Sequence, residues 1–399
     1  MEQLSGLTIT QLHSSAQDGR YLVMSKDNFM EANKIMVELL ETLQMANTVD
    51  EGIEKFLQNH NDEGFIHEQI KDLLEIKILP LLMKEHKNRK QFLYQRQILS
   101  AAPIATFSDK LSILFNKHIM WSLLLVATAL DILFFTTTTD LLEFANRISA
   151  FSIFALIVFI VASSMFHEFG HAAACSHYGV KHGGIGFGLY INFPVLYTDV
   201  TNVWLLPRRH RVVVNIAGVY FQCLIMILLL AAFFLTGDDT VRYMILTMNF
   251  GFLLTLNPFF KFDGYWIATD VLGVPNLRKR SMDMVRYLFQ RLTRKSINNT
   301  KPYLLQIRKR ERILVCIYAL AVNIFMGYYF LYIIPMFLYD FMGNFPQEVR
   351  QLVLCMANNV TPPFALLRNI FSQTLFFALI LLMLYRMAYP IMRKSRLQP

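Results

Sequence analysis

The sharpest chemistry in this sequence lies in five consecutive residues, His167-Glu168-Phe169-Gly170-His171. Histidines at i and i+4 lie one above the other on a helix face. Their imidazoles can hold one Zn²⁺, and the glutamate between them can take the proton of an attacking water. A chance H-E-x-x-H in a chain of this size has a probability on the order of 1%, so its surroundings must add weight. They do. The motif extends a charge-free apolar stretch, and ionisable groups in such a stretch are expensive in lipid and usually functional.

A catalytic zinc needs a third protein ligand and one open position. The best candidate follows a second apolar stretch, in Leu256-Asn257-Pro258-Phe259-Phe260-Lys261-Phe262-Asp263-Gly264-Tyr265. Pro258 removes a backbone N–H and breaks a helix. Broken backbone at membrane depth is tolerated only when buried in protein or lining a wet cavity. Asp263, set among aromatics, is then a carboxylate in need of a cation.

Neighbouring residues have plainer readings. Cys175, one turn beyond His171, would close the site as a fourth ligand and so reads as packing. His177 lies off that face, and His182 and His210 lie in a polar loop. Gly183, Gly184, Gly186 and Gly188 follow no phosphate-loop pattern. Ile185, Phe187, Leu189 and Ile191 alternate as in a strand, and an exposed strand can pair with an extended peptide. Asp199 is a second buried-acid candidate.

These residues need elements to hold them. Of 399 residues, 54% are apolar and only 17% are charged, against about a quarter in ordinary soluble domains. That composition excludes a plain cytosolic enzyme and a disordered chain. Cys175, Cys223, Cys316 and Cys355 form no C-x-x-C pair, so neither a disulfide framework nor a cysteine zinc finger is indicated. Six stretches are apolar enough to cross a bilayer: 119–138, 148–170, 212–236, 242–261, 313–338 and 369–390. The fourth is the weakest. The polar first 20 residues do not read as a cleavable signal peptide.

The net charge of +9 is a matter of topology. Segment 270–312 holds twelve Lys and Arg against three acids. By the positive-inside rule it faces the cytoplasm, as do both termini of a six-span cell-membrane protein. The loops at 139–147, 237–242 and 339–368 then face the other side. The basic charge thus contacts the lipid bilayer, and nucleic acid is not an expected partner. Within 276–296, Met282, Val285, Leu288, Phe289 and Leu292 fall at helical spacing among Arg and Lys, as in an interfacial helix.

Residues 1–110 read as a soluble cytoplasmic head and 111–399 as the membrane domain. Arg20–Ser25 reads as a strand. A helix over 28–44 would use Met30, Ile35, Val37, Leu40 and Leu43. Thr48 and Glu51 form a capping box before a helix at 49–58, and a third helix covers 64–86 with a break at Pro80. A strand with three short helices is compatible with a winged-helix-like α+β module that binds a peptide. The expected fold is therefore an all-α polytopic membrane protein of about six transmembrane helices, with a small N-terminal α+β domain.

Here the motifs reach a known pattern. The chain resembles the site-2 protease family of intramembrane zinc metalloproteases, which joins H-E-x-x-H on one span to N-P-x-x-x-x-D-G on another. Both stand here, the second as Asn257-Pro258 and Asp263-Gly264. The resemblance implies His167, His171 and Asp263 as zinc ligands and Glu168 as catalytic base. It implies that Asn257 holds the substrate or the broken helix, and that the segment after H-E-x-x-H re-enters the membrane as β structure. A narrower likeness is to bacterial peptide zinc metalloproteases found beside genes for ribosomally made, modified peptides. It rests on His182 to Tyr190, Phe193 to Val200, Leu206 to Arg211, Ala217-Gly218 and Asp263 to Arg278, covering about 160–280. It implies a peptide precursor as substrate and a head similar to peptide-chaperone winged helices. Two other readings stay open: cleavage of a membrane-anchored regulator, and a peptide export or immunity protein that does not hydrolyse its ligand.

Overall fold

The computed structural model describes residues 6–16, 19–25, 28–61, 64–80, 94–139, 141, 150–190, 193–293 and 303–395. The chain divides into two compact units. One comprises Met1–Arg89, Gln97–Gly186 and Leu196–Ala319; the other comprises Lys90–Arg96, Phe187–Val195 and Leu320–Pro399.

The first unit opens with an antiparallel sheet of β1 (Thr8–Leu12), β2 (Arg20–Ser25) and β3 (Asn28–Asn33), in that order. Ile9 pairs with Val23, and Val23 with Met30. Helices α1 (Lys34–Met45) and α2 (Val49–Asn59) pack on it around the fully buried Val23, Leu40, Leu43 and Ile53. The expected strand at 20–25 is present. The expected helix at 28–44 is divided: its first six residues are β3. Pairing with β2 outweighs their helical pattern, and α1 starts where the Asn33 side chain accepts the Met36 N–H at 3.0 Å. Thr48 caps α2 as read, its Oγ1 accepting the Glu51 N–H, while the Glu51 carboxylate accepts the N–H of Asn47, one residue before the cap. The third helix is a short α3 (His67–Asp72) followed by a π-helical turn at Leu73–Ile78. The rest of the expected helix, from 81 to 86, lies outside the described residues.

After β4 (Gln95–Leu99) come α4 (Ala101–Leu111), α5 (Lys117–Thr137) and α6 (Ala150–His177). Then follow β5 (Ile185–Tyr190), β6 (Phe193–Thr198), α7 (Arg208–Thr236), α8 (Asp239–Thr255), α9 (Asp263–Leu272) and α10 (Leu277–Leu292). The centre of this unit is the packing of α6 on α7, where Ala173, Ala174 and Cys175 meet Val214, Ala217 and Phe221. Small residues at such a crossing let two apolar helices approach closely. Helix α4, read from sequence as part of the soluble head, packs Ile104 against Ala172 of α6.

β4, β5 and β6 form one sheet in that order, so β5 is its middle strand. This corrects the expectation that 185–191 offers a free edge. The Leu189 N–H donates to Tyr94 on one flank, and β6 occupies the other. The neighbour of β5 comes from about 90 residues earlier in the chain, a distance over which local alternation carries no information.

The second unit holds the distal part of α11 (Lys309–Tyr328), a π-helical turn at Tyr329–Ile333, α12 (Ile334–Ala357) and α13 (Phe364–Ser395). Phe337 meets Phe376 and Phe341 stacks on Phe377, each at 4.5 Å between ring centroids.

Among the described residues five helices are long and apolar enough to cross a membrane: Lys117–Thr137, Phe151–His177, Arg208–Thr236, Lys309–Ala357 and Ala365–Leu382. The chain is thus a multi-pass membrane protein. The stretch expected as a fourth span forms a 17-residue α8, Asp239–Thr255, just before the Asn257–Phe262 break. The fourth of the five helices runs for 49 residues, so 339–357, read from sequence as loop, is helical. Pro346 lies inside it.

Candidate metal centre

Helix α6 presents His167 and His171 on one face, with Glu168 beside them. All three are buried, at 9%, 7% and 6% exposure. Asp263 is the first residue of α9, and the chain is turned to bring it there by the preceding break. The Asn257 side chain accepts the Phe259 N–H at 2.8 Å, closing a local turn around Pro258. The Pro258 carbonyl accepts the Tyr318 hydroxyl at 2.9 Å. Gly264 permits the fold-back, since a Cβ there would lie 2.0 Å from the Leu256 carbonyl oxygen.

The three expected ligands converge. The two Nε2 atoms are 3.1 Å apart, and Asp263 Oδ2 lies 2.9 Å from that of His167 and 3.3 Å from that of His171. Among the described residues these three form the group able to hold a metal ion. Zinc bound tetrahedrally at about 2.0 Å has neighbouring donors about 3.3 Å apart. The triangle is therefore close to one face of such a site.

The hydrogen bonds on the far side of each ring say which nitrogen is free. His171 Nδ1 lies 2.8 Å from the Val214 carbonyl, which can only accept, so Nδ1 carries the proton. His167 Nδ1 lies 3.1 Å from Gln222 Oε1, and the Gln222 amide nitrogen donates to Ser163 Oγ at 2.9 Å. In the neutral rings both Nε2 atoms then present lone pairs to each other and to a carboxylate. Asp263 Oδ2 is buried with no hydrogen-bond donor of its own. Three converging lone-pair donors and one negative charge fit a divalent cation. The space is kept open by Gly218 of α7, where a Cβ would fall 2.3 Å from His167 Nε2.

Four residues of α7 to which sequence reading gave no role, Arg211 and Gly218 of the matching stretches among them, support this arrangement. Arg211 Nε donates to Asp270 Oδ1 at 2.6 Å and Asn215 Nδ2 to Asp270 Oδ2 at 2.7 Å, both buried or nearly so. Asp270 is two turns after Asp263 on α9, so this pair ties the helix carrying Asp263 to α7. Arg211, Asn215, Gly218 and Gln222 follow one another at spacings of four, three and four, on one face of an otherwise apolar helix. That stripe was the available signal.

The remaining candidates lie apart. Cys175 is packed in the α6–α7 core. His177 packs on Phe115 and Tyr178, His210 stacks on Tyr178, and His182 meets Ser108 Oγ at 3.1 Å. Asp199 accepts the backbone N–H and hydroxyl of Thr201, a local turn. Thr198, at the end of β6, donates its hydroxyl to the Glu168 carbonyl at 3.2 Å.

No family model matches the chain, and no solved structure does. A Bacillus subtilis (strain 168) protein named "Putative peptide zinc metalloprotease protein YydH" is 24% identical over 121 residues. The match takes in 30% of this chain and 48% of that protein, so it spans about half the length of the curated relative.

Proposed function

We propose that this protein is a membrane-embedded zinc endopeptidase. Its ligands are His167, His171 and Asp263, and Glu168 is its general base. The observation that carries the reading is the convergence of two unprotonated imidazole nitrogens on a buried carboxylate oxygen that has no donor. The similarity to a protein named as a zinc metalloprotease supports it. A zinc ion held there supplies Lewis acidity, polarising the scissile carbonyl and acidifying water. Glu168 accepts a proton from the attacking water and returns it to the leaving amine. Burial of Glu168 and both histidines keeps bulk water from competing.

A peptide bond inside a helix is shielded, so the substrate must be extended at the site. With β5 flanked on both sides, the strand to receive it is β6. Its Leu196–Thr198 end leads to Glu168. The substrate class we favour is a ribosomally made peptide precursor. The 1–110 segment serves as its cytoplasmic binding head and Asn257 holds the break. In this reading α8 is a sixth, short span, both termini are cytoplasmic, and cleavage occurs near the cytoplasmic face.

Metal content and hydrolysis, measured separately, test the reading. Purified protein should carry about one zinc per chain. His171→Ala and Asp263→Ala should lose most of it. Glu168→Ala should keep the metal and lose cleavage of a co-expressed precursor. A Glu168→Ala protein emptied of zinc would make Glu168 a ligand. Retention of zinc by Asp263→Ala would remove Asp263 from the set.

A further inference from the structure

Helix α10 has two uses, and only one is met inside the protein. Its Leu277 and Met284 are buried against Tyr265, Tyr303 and Leu304, in the cluster that also holds α9. The Arg278 N–H donates to the Tyr265 hydroxyl, and Arg280 lies over the Tyr303 ring at 4.3 Å. The other side is bare. Met282, Val285, Phe289 and Leu292 are exposed by 54%, 43%, 64% and 83%. At about 100° per residue these four fall within an arc of about 80°. Lys279 and Arg286, both exposed, line one margin of that arc, and Arg278 lies within it.

An apolar stripe edged with cations fits the boundary between acyl chains and negatively charged headgroups. A protein partner would also cover apolar surface, but the excess of charge selects a negative one. Between Leu277 and Leu292 stand five Arg or Lys and one acid, Asp283. Among the described residues five helices are long and apolar enough to cross a membrane, so a lipid leaflet is at hand.

We propose that α10 lies on the membrane surface and that its ligand is a leaflet containing anionic lipid. Lys279 and Arg286 contact headgroup phosphates, and Met282, Val285, Phe289 and Leu292 enter the acyl boundary. Because the opposite face of α10 packs on Tyr265, two residues after Asp263, lipid docking also braces the helix that carries the third candidate ligand.

The test reads backbone exchange rather than hydrolysis, so its outcome is independent of the proposed peptidase activity. Full-length protein is placed in lipid discs of phosphatidylcholine alone, or of phosphatidylcholine with phosphatidylglycerol. Amide hydrogen exchange is then followed across Leu277–Leu292. Each basic residue near an anionic surface contributes enough for the pair to slow exchange by about 30-fold in the anionic discs. The difference should vanish in Lys279→Glu/Arg286→Glu and, for the unmodified protein, at high salt. The salt series needs no variant to fold. Equal exchange in both lipids, or a difference that survives both charge reversal and salt, would overturn the proposal.

Discussion

Gln222 stands behind His167: its carbonyl oxygen lies 3.1 Å from Nδ1, while its amide nitrogen donates to Ser163. Ser163 thereby fixes which end of the amide faces the imidazole, and the imidazole must turn Nε2 toward Asp263. Such outer partners commonly change metal affinity 10- to 100-fold. Gln222→Leu should lower zinc affinity by about that factor in competition with a chelator, and Gln222→Glu should restore it. The visible spectrum of the cobalt-substituted protein should shift in the Leu variant. An unchanged affinity in Gln222→Leu would reduce the contact to packing.

Gly218 should tolerate no side chain if the centre is to form. The Cβ of Gly218→Ala would meet His167 Nε2 at 2.3 Å. Overpacking of this kind costs about 1–3 kcal/mol in stability, but the greater effect should be on metal. Zinc content should fall severalfold in protein that still elutes as a single folded species. Full occupancy in that variant would show that the ring can move aside.

The Arg211–Asp270 pair should behave as a buried salt bridge. Arg211→Ala leaves a buried carboxylate with only Asn215, and breaking such pairs costs about 3–5 kcal/mol. Arg211→Met combined with Asp270→Leu should recover most of that loss, because both charges leave together. Thermal unfolding in detergent measures it. A double variant no better than Arg211→Ala would mean that position, rather than charge, is what the pair secures.

Sequence alone suggests that deleting residues 1–100 would weaken processing of a precursor far more than it weakens zinc binding. The structure changes that expectation. Ser15 donates its N–H to Gly273 and its hydroxyl to Leu272, at the end of α9, and Arg211 reaches the His13 carbonyl. Deletion should therefore reduce zinc retention as well. Ser15→Ala should cost about 1 kcal/mol, the usual net worth of one hydrogen bond. Capture of a precursor is better tested with surface substitutions in the head, scored by cleavage at constant metal content. Truncated protein with full zinc would show that the Ser15 contacts are dispensable.

What could be read from sequence was what local spacing determines. The i, i+4 histidines, the break at Pro258, the aspartate after it and the capping box at Thr48 each depend on residues within a few positions. What could not be read depends on partners far along the chain. Asp270 meets Arg211 across 59 residues, and His167 meets Gln222 across 55. The segment 28–33 is a strand only because β2 lies beside it. Residues 339–357 continue a helix, although the sequence reads them as a loop. The stripe on α7 was visible in principle, but it needed a question about which helix faces the histidines.

That stripe makes α7 a helix whose phase matters. Its upper residues hold α9 through Asp270, and its lower ones hold α6 through His167. One extra residue between Asn215 and Gly218 would rotate the two halves by about 100° and shift them about 1.5 Å apart. Each half could remain helical and apolar enough for lipid, yet they could no longer serve the same centre. Substitutions on the outward faces of α7 are free to drift, whereas its length between Arg211 and Gln222 is not.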